Sequence, residues 1–149
     1  MWFEQPQDDR ILSWREWRNS LENLNKQDAI ETVAQTWARV PTVLHYLSPD
    51  QLKEWPNPWQ LITDNIYCDL GICLGMYYSL ALIESPKIDD LSIQIYKGPS
   101  GWINLSSIDQ GKYVLNYSHG TVVNMSCVEK DNVELIFSYS EIDLCNKFN

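Results

Sequence analysis

Apolar positions follow helical spacing through the first half of the chain and strand-like patterns through the second. Trp14, Trp17, Leu21 and Leu24 make one stripe. Ser13 with Glu16 three residues on predicts a capping box that opens this first helix. Ala29, Ile30, Val33, Ala34 and Trp37 share one face of a second helix, from about Asp28 to Arg39. Pro41 ends it, because a residue before proline avoids the helical region. Ser48-Pro49-Asp50-Gln51 predicts a short helix that Pro56 stops. Asn57-Pro58-Trp59-Gln60 repeats that start signal, and Leu61, Ile62, Ile66, Leu70 and Leu74 extend it into a long helix closed by Gly75. Its apolar residues go around much of the circumference, so this helix is expected at the centre of the fold.

After Gly75 the pattern changes. Met76 to Ile83 is a continuous apolar run and reads as a buried strand. Leu91, Ile93 and Ile95 alternate with polar residues. Gly98-Pro99-Ser100-Gly101 marks a turn into a short strand at Trp102 to Leu105. Lys112 to Tyr117 and Thr121 to Val128 read as a hairpin across Ser118-His119-Gly120, and Val133 to Tyr139 as the last strand. The expected class is α+β. About four N-terminal helices precede a meandering antiparallel sheet of about five strands, which packs on the central helix. Residues 1–149 form a single domain, helical over 1–75 and β-rich over 76–149.

Charge changes the functional picture more than the fold. Eleven basic against twenty acidic side chains leave a net charge of −9 over 149 residues. Such a field repels nucleic acid and anionic membrane surfaces and suits a basic protein partner. Met1-Trp2-Phe3-Glu4-Gln5 has neither the basic nor the apolar region of a secretion signal, and no run is clean enough to span a bilayer, so a cytoplasmic location is expected. The four cysteines, Cys68, Cys73, Cys127 and Cys145, make no CxxC pair and are expected as free thiols. No metal site and no cofactor motif is indicated.

Two features carry candidate chemistry. Cys68 on the central helix and His119 at a strand start can make a thiol and its base, with Asp131 first, or Asn132, Glu141 or Asp143, to orient the ring. Against this, Cys68 and Cys73 also suit small core positions. His45, between apolar neighbours, reads as a core or boundary residue. The second feature is aromatic. Trp14, Trp17, Trp37, Trp55 and Trp59 either fill the core or present an exposed docking patch, in which Trp55-Pro56-Asn57-Pro58-Trp59 is a stiff aromatic corner.

The order cysteine helix, strand, histidine resembles the transglutaminase-like and papain-like cysteine core. Gly75-Met76-Tyr77 sits where that family passes from its helix to its first strand. In that family the nucleophile stands at the helix start, a place held here by Trp59 and Gln60, and an aromatic follows the histidine, where this chain has Gly120. Cys68 falls in mid-helix, unless Thr63 or Asp64 caps a second helix and brings it into a first turn. A second resemblance rests on Trp14-Arg15-Glu16-Trp17-Arg18, on Trp55 to Leu61, on Asp64 to Asp69 and on Lys112 to Asn116. These stretches are similar to small proteins of tailed phages, including those of cyanobacteria; the similarity implies no activity. The sequence therefore points first to an acidic binding protein, of phage-accessory, inhibitor or immunity type, that docks a basic protein through Trp14, Trp17, Trp55, Pro56, Pro58 and Trp59. The alternative is a cysteine hydrolase or acyltransferase using Cys68 and His119, or a degenerate non-catalytic version of that fold.

Overall fold

The computed structural model describes all 149 residues. Five helices are present: α1 (Arg10–Leu21), α2 (Lys26–Trp37), α3 (Pro58–Asp64), α4 (Asp69–Ala81) and α5 (Glu141–Leu144). Five strands are β1 (Ser92–Gly98), β2 (Gly101–Ile108), β3 (Tyr113–Ser118), β4 (Thr121–Val123) and β5 (Glu134–Tyr139). The expected α+β class is the observed one. No helix is long and apolar enough to cross a membrane.

Helix α1 starts at Arg10, earlier than Ser13, because a 3-10 turn at Gln7–Asp9 runs straight into it. The Arg10 guanidinium ties this junction down by donating to the carbonyls of Gln5 and Thr63. Ser13 is thus inside the helix and caps nothing. Asn25 caps α2 through the Asp28 N–H, and the predicted stripe of Ala29, Ile30, Val33, Ala34 and Trp37 is buried. The short helix expected after Ser48 is a single 3-10 turn at Leu52–Glu54.

The largest departure lies between residues 57 and 83. Helix α3 opens as predicted, with a reciprocal Asn57–Gln60 capping box and Pro58 in the first turn. It stops at Asn65, whose φ of 56° is left-handed, a conformation that asparagine tolerates. The chain then re-enters a helix at Asp69, and α4 runs on through Gly75 to Ala81. The long helix over 57–75 and the strand over 76–83 are therefore both corrected. An apolar run buried on all sides has no helical or strand period to read. Every residue from Leu70 to Leu80 is buried. Gly75 does not cap; it lies in mid-helix under the Trp37 indole, where a Cβ would overlap the ring.

The sheet order is β4-β3-β2-β1-β5, all antiparallel. It is not the simple meander expected, since β5 returns to the far edge and pairs with β1, Ile93 opposite Tyr139. Ile93, Ile95, Ile108 and Leu115 join the main core, and Tyr96, Leu105, Val114 and Val128 form a small second one. Strand β2 is unusual on its helix-facing side. Ser106 donates to the Cys73 carbonyl at 2.9 Å, and Asn104 donates to the Asp69 carboxylate at 2.9 Å.

Trp2, Trp14 and Trp37 are fully buried. Trp2 lies 4.9 Å from both Trp17 and Trp37, ring centre to ring centre. The indoles of Trp2 and Trp37 donate to Tyr67 Oη and Ser79 Oγ, so their polar edges are satisfied in the interior.

Candidate functional site

Cys68 is the N-cap residue of α4. Its Sγ accepts a hydrogen bond from the Gly71 N–H at 3.4 Å, the role usually taken by a hydroxyl or carboxamide oxygen. Its carbonyl takes the first regular helical bond, from Ile72 N–H. The N–H groups of Asp69 and Leu70 point out of the helix start with no helical acceptor. The helix end favours negative charge at this point. The mid-helix placement expected from sequence is corrected: the break at Asn65 sets the thiol at the mouth of a second helix, which Cys68 itself caps and not Thr63 or Asp64.

The next residue, Asp69, is held by two carboxamides from the sheet. Asn104 Nδ2 on β2 donates to one carboxylate oxygen at 2.9 Å, and Asn116 Nδ2 on β3 donates to the other at 3.2 Å. Asn116 also donates to the Asn104 carbonyl at 2.9 Å. It can do so because its φ of 71° turns the side chain back toward α4, at an irregular point in the β3–β4 pairing. Asp69 is acceptor-only as a carboxylate, so both amides must present nitrogen to it. That leaves Asn104 Oδ1 buried and without a partner.

A cavity of about 190 Å³ opens at the thiol. Cys68, Asp69 and Asn104 line it together with Leu44, His45 and Trp102. Cys68 is only 3% exposed, so a reactant reaches it through this opening. A second cavity, of about 390 Å³, is lined by residues 46–48 together with Glu54, Trp55, Gln60 and Asp64.

Of the three residues singled out as a catalytic set, Cys68 alone borders the cavity. His119 is exposed in the β3–β4 turn, beside Gly120, where an added Cβ would meet Ala38. Asp131 is exposed in the loop before β5, its N–H bonded to Glu129. The imidazole that does border the cavity is His45, which is exposed and not a core residue. Asp69, Asn104 and Asn116 carry no sequence signal of their own. Only the helix start at Cys68 was open to inference, through the αL tendency of Asn65.

The other thiols differ. Burial pushes the Cys73 thiol up to about 12, although the Ser106 hydroxyl bonds it at 3.3 Å. Cys127 and Cys145 are exposed.

The aromatic set is mainly interior. Trp14, Trp17 and Trp55 are buried, Pro58 is buried, and Pro56 and Trp59 are half-buried. Trp55 donates its indole N–H to the Ser48 carbonyl and stacks edge-on to Tyr139. The Pro56 carbonyl accepts from Tyr78 Oη at 2.6 Å. The corner thus serves as a helix connection locked to the core, and its rings do not form the open face that a docking patch needs.

The fold is a split helical layer with a cysteine at the mouth of its central helix, covered by an antiparallel sheet. Structures of Legionella pneumophila LapG share it. One superposes with a TM-score of 0.72 and 16% identity, covering 92% of this chain and 76% of that one. The EGTA-treated form gives the same values, and the calcium-bound form gives 0.66 and 14%, covering 85% and 72%. At this identity the likeness shows the fold. No family model matches the sequence, and no curated protein matches it.

Proposed function

We propose that this chain is a cysteine hydrolase or acyltransferase of the transglutaminase-like fold, with Cys68 as nucleophile. The observation that carries the reading is the placement of the Cys68 thiol at the N-terminus of α4, facing a cavity. In this reading Sγ attacks an acyl carbon seated in the cavity. The free N–H groups of Asp69 and Leu70 face the developing oxyanion, as helix N-termini do elsewhere. His45, the imidazole on the cavity border, takes the thiol proton and passes it to the leaving group. Water then releases the acyl group, or an amine accepts it. Asp69 is held in place by Asn104 and Asn116, and this grip fixes the first turn on which the thiol depends. His119 is the alternative base, and its turn would have to approach the cavity.

A single experiment tests this. The protein is incubated with an activated ester and each cysteine peptide is mapped by mass. Acylation at Cys68, slowed in His45→Ala and unchanged in His119→Ala, supports the reading. Acylation confined to the exposed Cys127 and Cys145 counts against it.

A second reading has its own observation. The sheet residues that reach the α4 mouth are Asn104 and Asn116, and a carboxamide cannot take up a proton at neutral pH. On this view the fold is a non-catalytic version reused for binding, in line with the acidic surface and a basic protein partner. The phage-accessory role and the cytoplasmic location belong to this reading. Complete inertness of Cys68 in the native protein would favour it.

A further inference from the structure

The chain between α2 and α3 passes the α4 mouth as a strap. Its start is pinned where the Val43 N–H donates to the Tyr67 carbonyl at 2.9 Å. Its far end is pinned at Ser48 and Pro49, whose carbonyls accept from Trp55 Nε1 and Tyr139 Oη. Between these points Leu44 to Leu47 belong to no helix or strand and make no backbone–backbone hydrogen bond. Leu47 anchors the strap in the core, while Leu44 is fully exposed and Tyr46 is 52% exposed. Backbone groups beside a cavity with unused donors and acceptors, flanked by exposed apolar side chains, match the way an extended peptide adds to a protein edge.

The charged side chains that line the two cavities are of one sign, with Lys147 Nζ on the Trp55 carbonyl and Arg10 on the Thr63 carbonyl outside the lining. Glu54 and Asp64 border the larger cavity and Asp69 the smaller. None of the three is in an ion pair, and no lysine or arginine borders either cavity. An anionic groove of this kind favours a cationic occupant.

We infer that the strap Leu44–Leu47 docks an extended polypeptide segment that carries a basic residue. The segment pairs its backbone with the strap, places its basic side chain in the Glu54–Asp64 cavity and packs apolar neighbours on Leu44 and Tyr46. The inference deepens the proposed function by naming the substrate class of the Cys68 site, and it rests on that reading only for what happens after docking.

The test is fluorescence anisotropy in 150 mM salt with two labelled eight-residue peptides. One has a single arginine among valines and serines; the other has glutamate in its place. The arginine peptide is expected to bind at least tenfold more tightly. Tyr46→Pro, which removes one strap N–H at an exposed position, should weaken it about tenfold with the melting temperature unchanged. Glu54→Gln with Asp64→Asn should weaken the arginine peptide selectively. Cys68→Ser should bind like the unaltered protein, so docking is measured apart from thiol chemistry. Equal binding of the two peptides, no binding of either, or an unaffected Tyr46→Pro variant that is still folded would overturn the inference. If the arginine peptide binds and Cys68 is inert, the catalytic reading falls and the docking strap stands.

Discussion

The Cys68 Sγ accepts the Gly71 N–H at 3.4 Å, so the sulfur that could act as nucleophile is also the cap of the central helix. Two substitutions separate these roles. Cys68→Ser supplies a better capping oxygen and should leave stability within about 1 kcal/mol of the parent. Cys68→Ala removes the cap and should cost about 1 kcal/mol. Both should abolish acylation at this position. Urea melts give the first quantity and peptide mass the second.

Helix α4 owes its close approach to α2 to a missing side chain. A Cβ at Gly75 would overlap the Trp37 ring, whose indole N–H is committed to Ser79 at 2.9 Å. Neither partner can give way easily. Gly75→Ala should destabilise by roughly 1–3 kcal/mol, despite the better helix propensity of alanine. Thermal unfolding checks the sign, which a mid-helix glycine in open space would reverse.

Asn116 combines a left-handed backbone with the carboxamide that reaches Asp69. Asn116→Ala should lose both and cost roughly 1–3 kcal/mol. Asn116→Gly keeps the backbone and should lose less. The difference between the two variants in chemical denaturation gives the backbone strain at this position, less the greater unfolded-state entropy of glycine. Both should slow any chemistry at Cys68 by loosening the first turn of α4.

Alkaline pH should unfold the protein through its buried acids. Burial raises the Cys73 thiol to about 12 from an ordinary 9.0, and the Tyr67 phenol to about 12 from 10.0. Tyr77 and Tyr78 shift in the same direction for the same reason. A group whose folded value is raised stays protonated in the native state while the unfolded chain ionises. Its stabilisation is complete below the unfolded value and is lost as pH rises toward the folded one. Stability should thus be flat up to about pH 9 and fall between 9 and 12, by about 1.4 kcal/mol per pH unit for each group that has ionised in the unfolded chain. Denaturant midpoints across this range test it. Cys73→Val should shift the onset upward, toward the tyrosine range.

Particular residues show where the sequence was readable. The α2 stripe and the Asn57–Gln60 capping box follow from local rules, and the structure has both. The turn glycines Gly98 and Gly101 close the β1–β2 hairpin where expected. The run from Gly71 to Leu80 was not readable, since a helix buried on every side shows no periodicity. That run accounts for the strand expected over 76–83, while the mid-helix placement of Cys68 came from the break at Asn65, a single residue in a left-handed conformation. Asn104, Asn116 and His45 were illegible for another reason. Their roles come from contacts 35 or more residues apart for Asn104 and Asn116 with Asp69, and from a strap without regular structure for His45.

If Cys68 is a reactive thiol, the four cysteines provide their own controls. The native protein is alkylated with iodoacetamide from pH 5 to 9, and the rate at each cysteine is followed by peptide mapping. Exposure alone ranks Cys127 and Cys145 first, and Cys68 with Cys73 last. Cys68 is expected to react faster than the two exposed thiols below pH 7, His45→Ala to remove this advantage, and Cys73 to stay unmodified until the protein unfolds. Cys68 reacting only on unfolding, in step with Cys73, would contradict this expectation and leave the thiol as a helix cap.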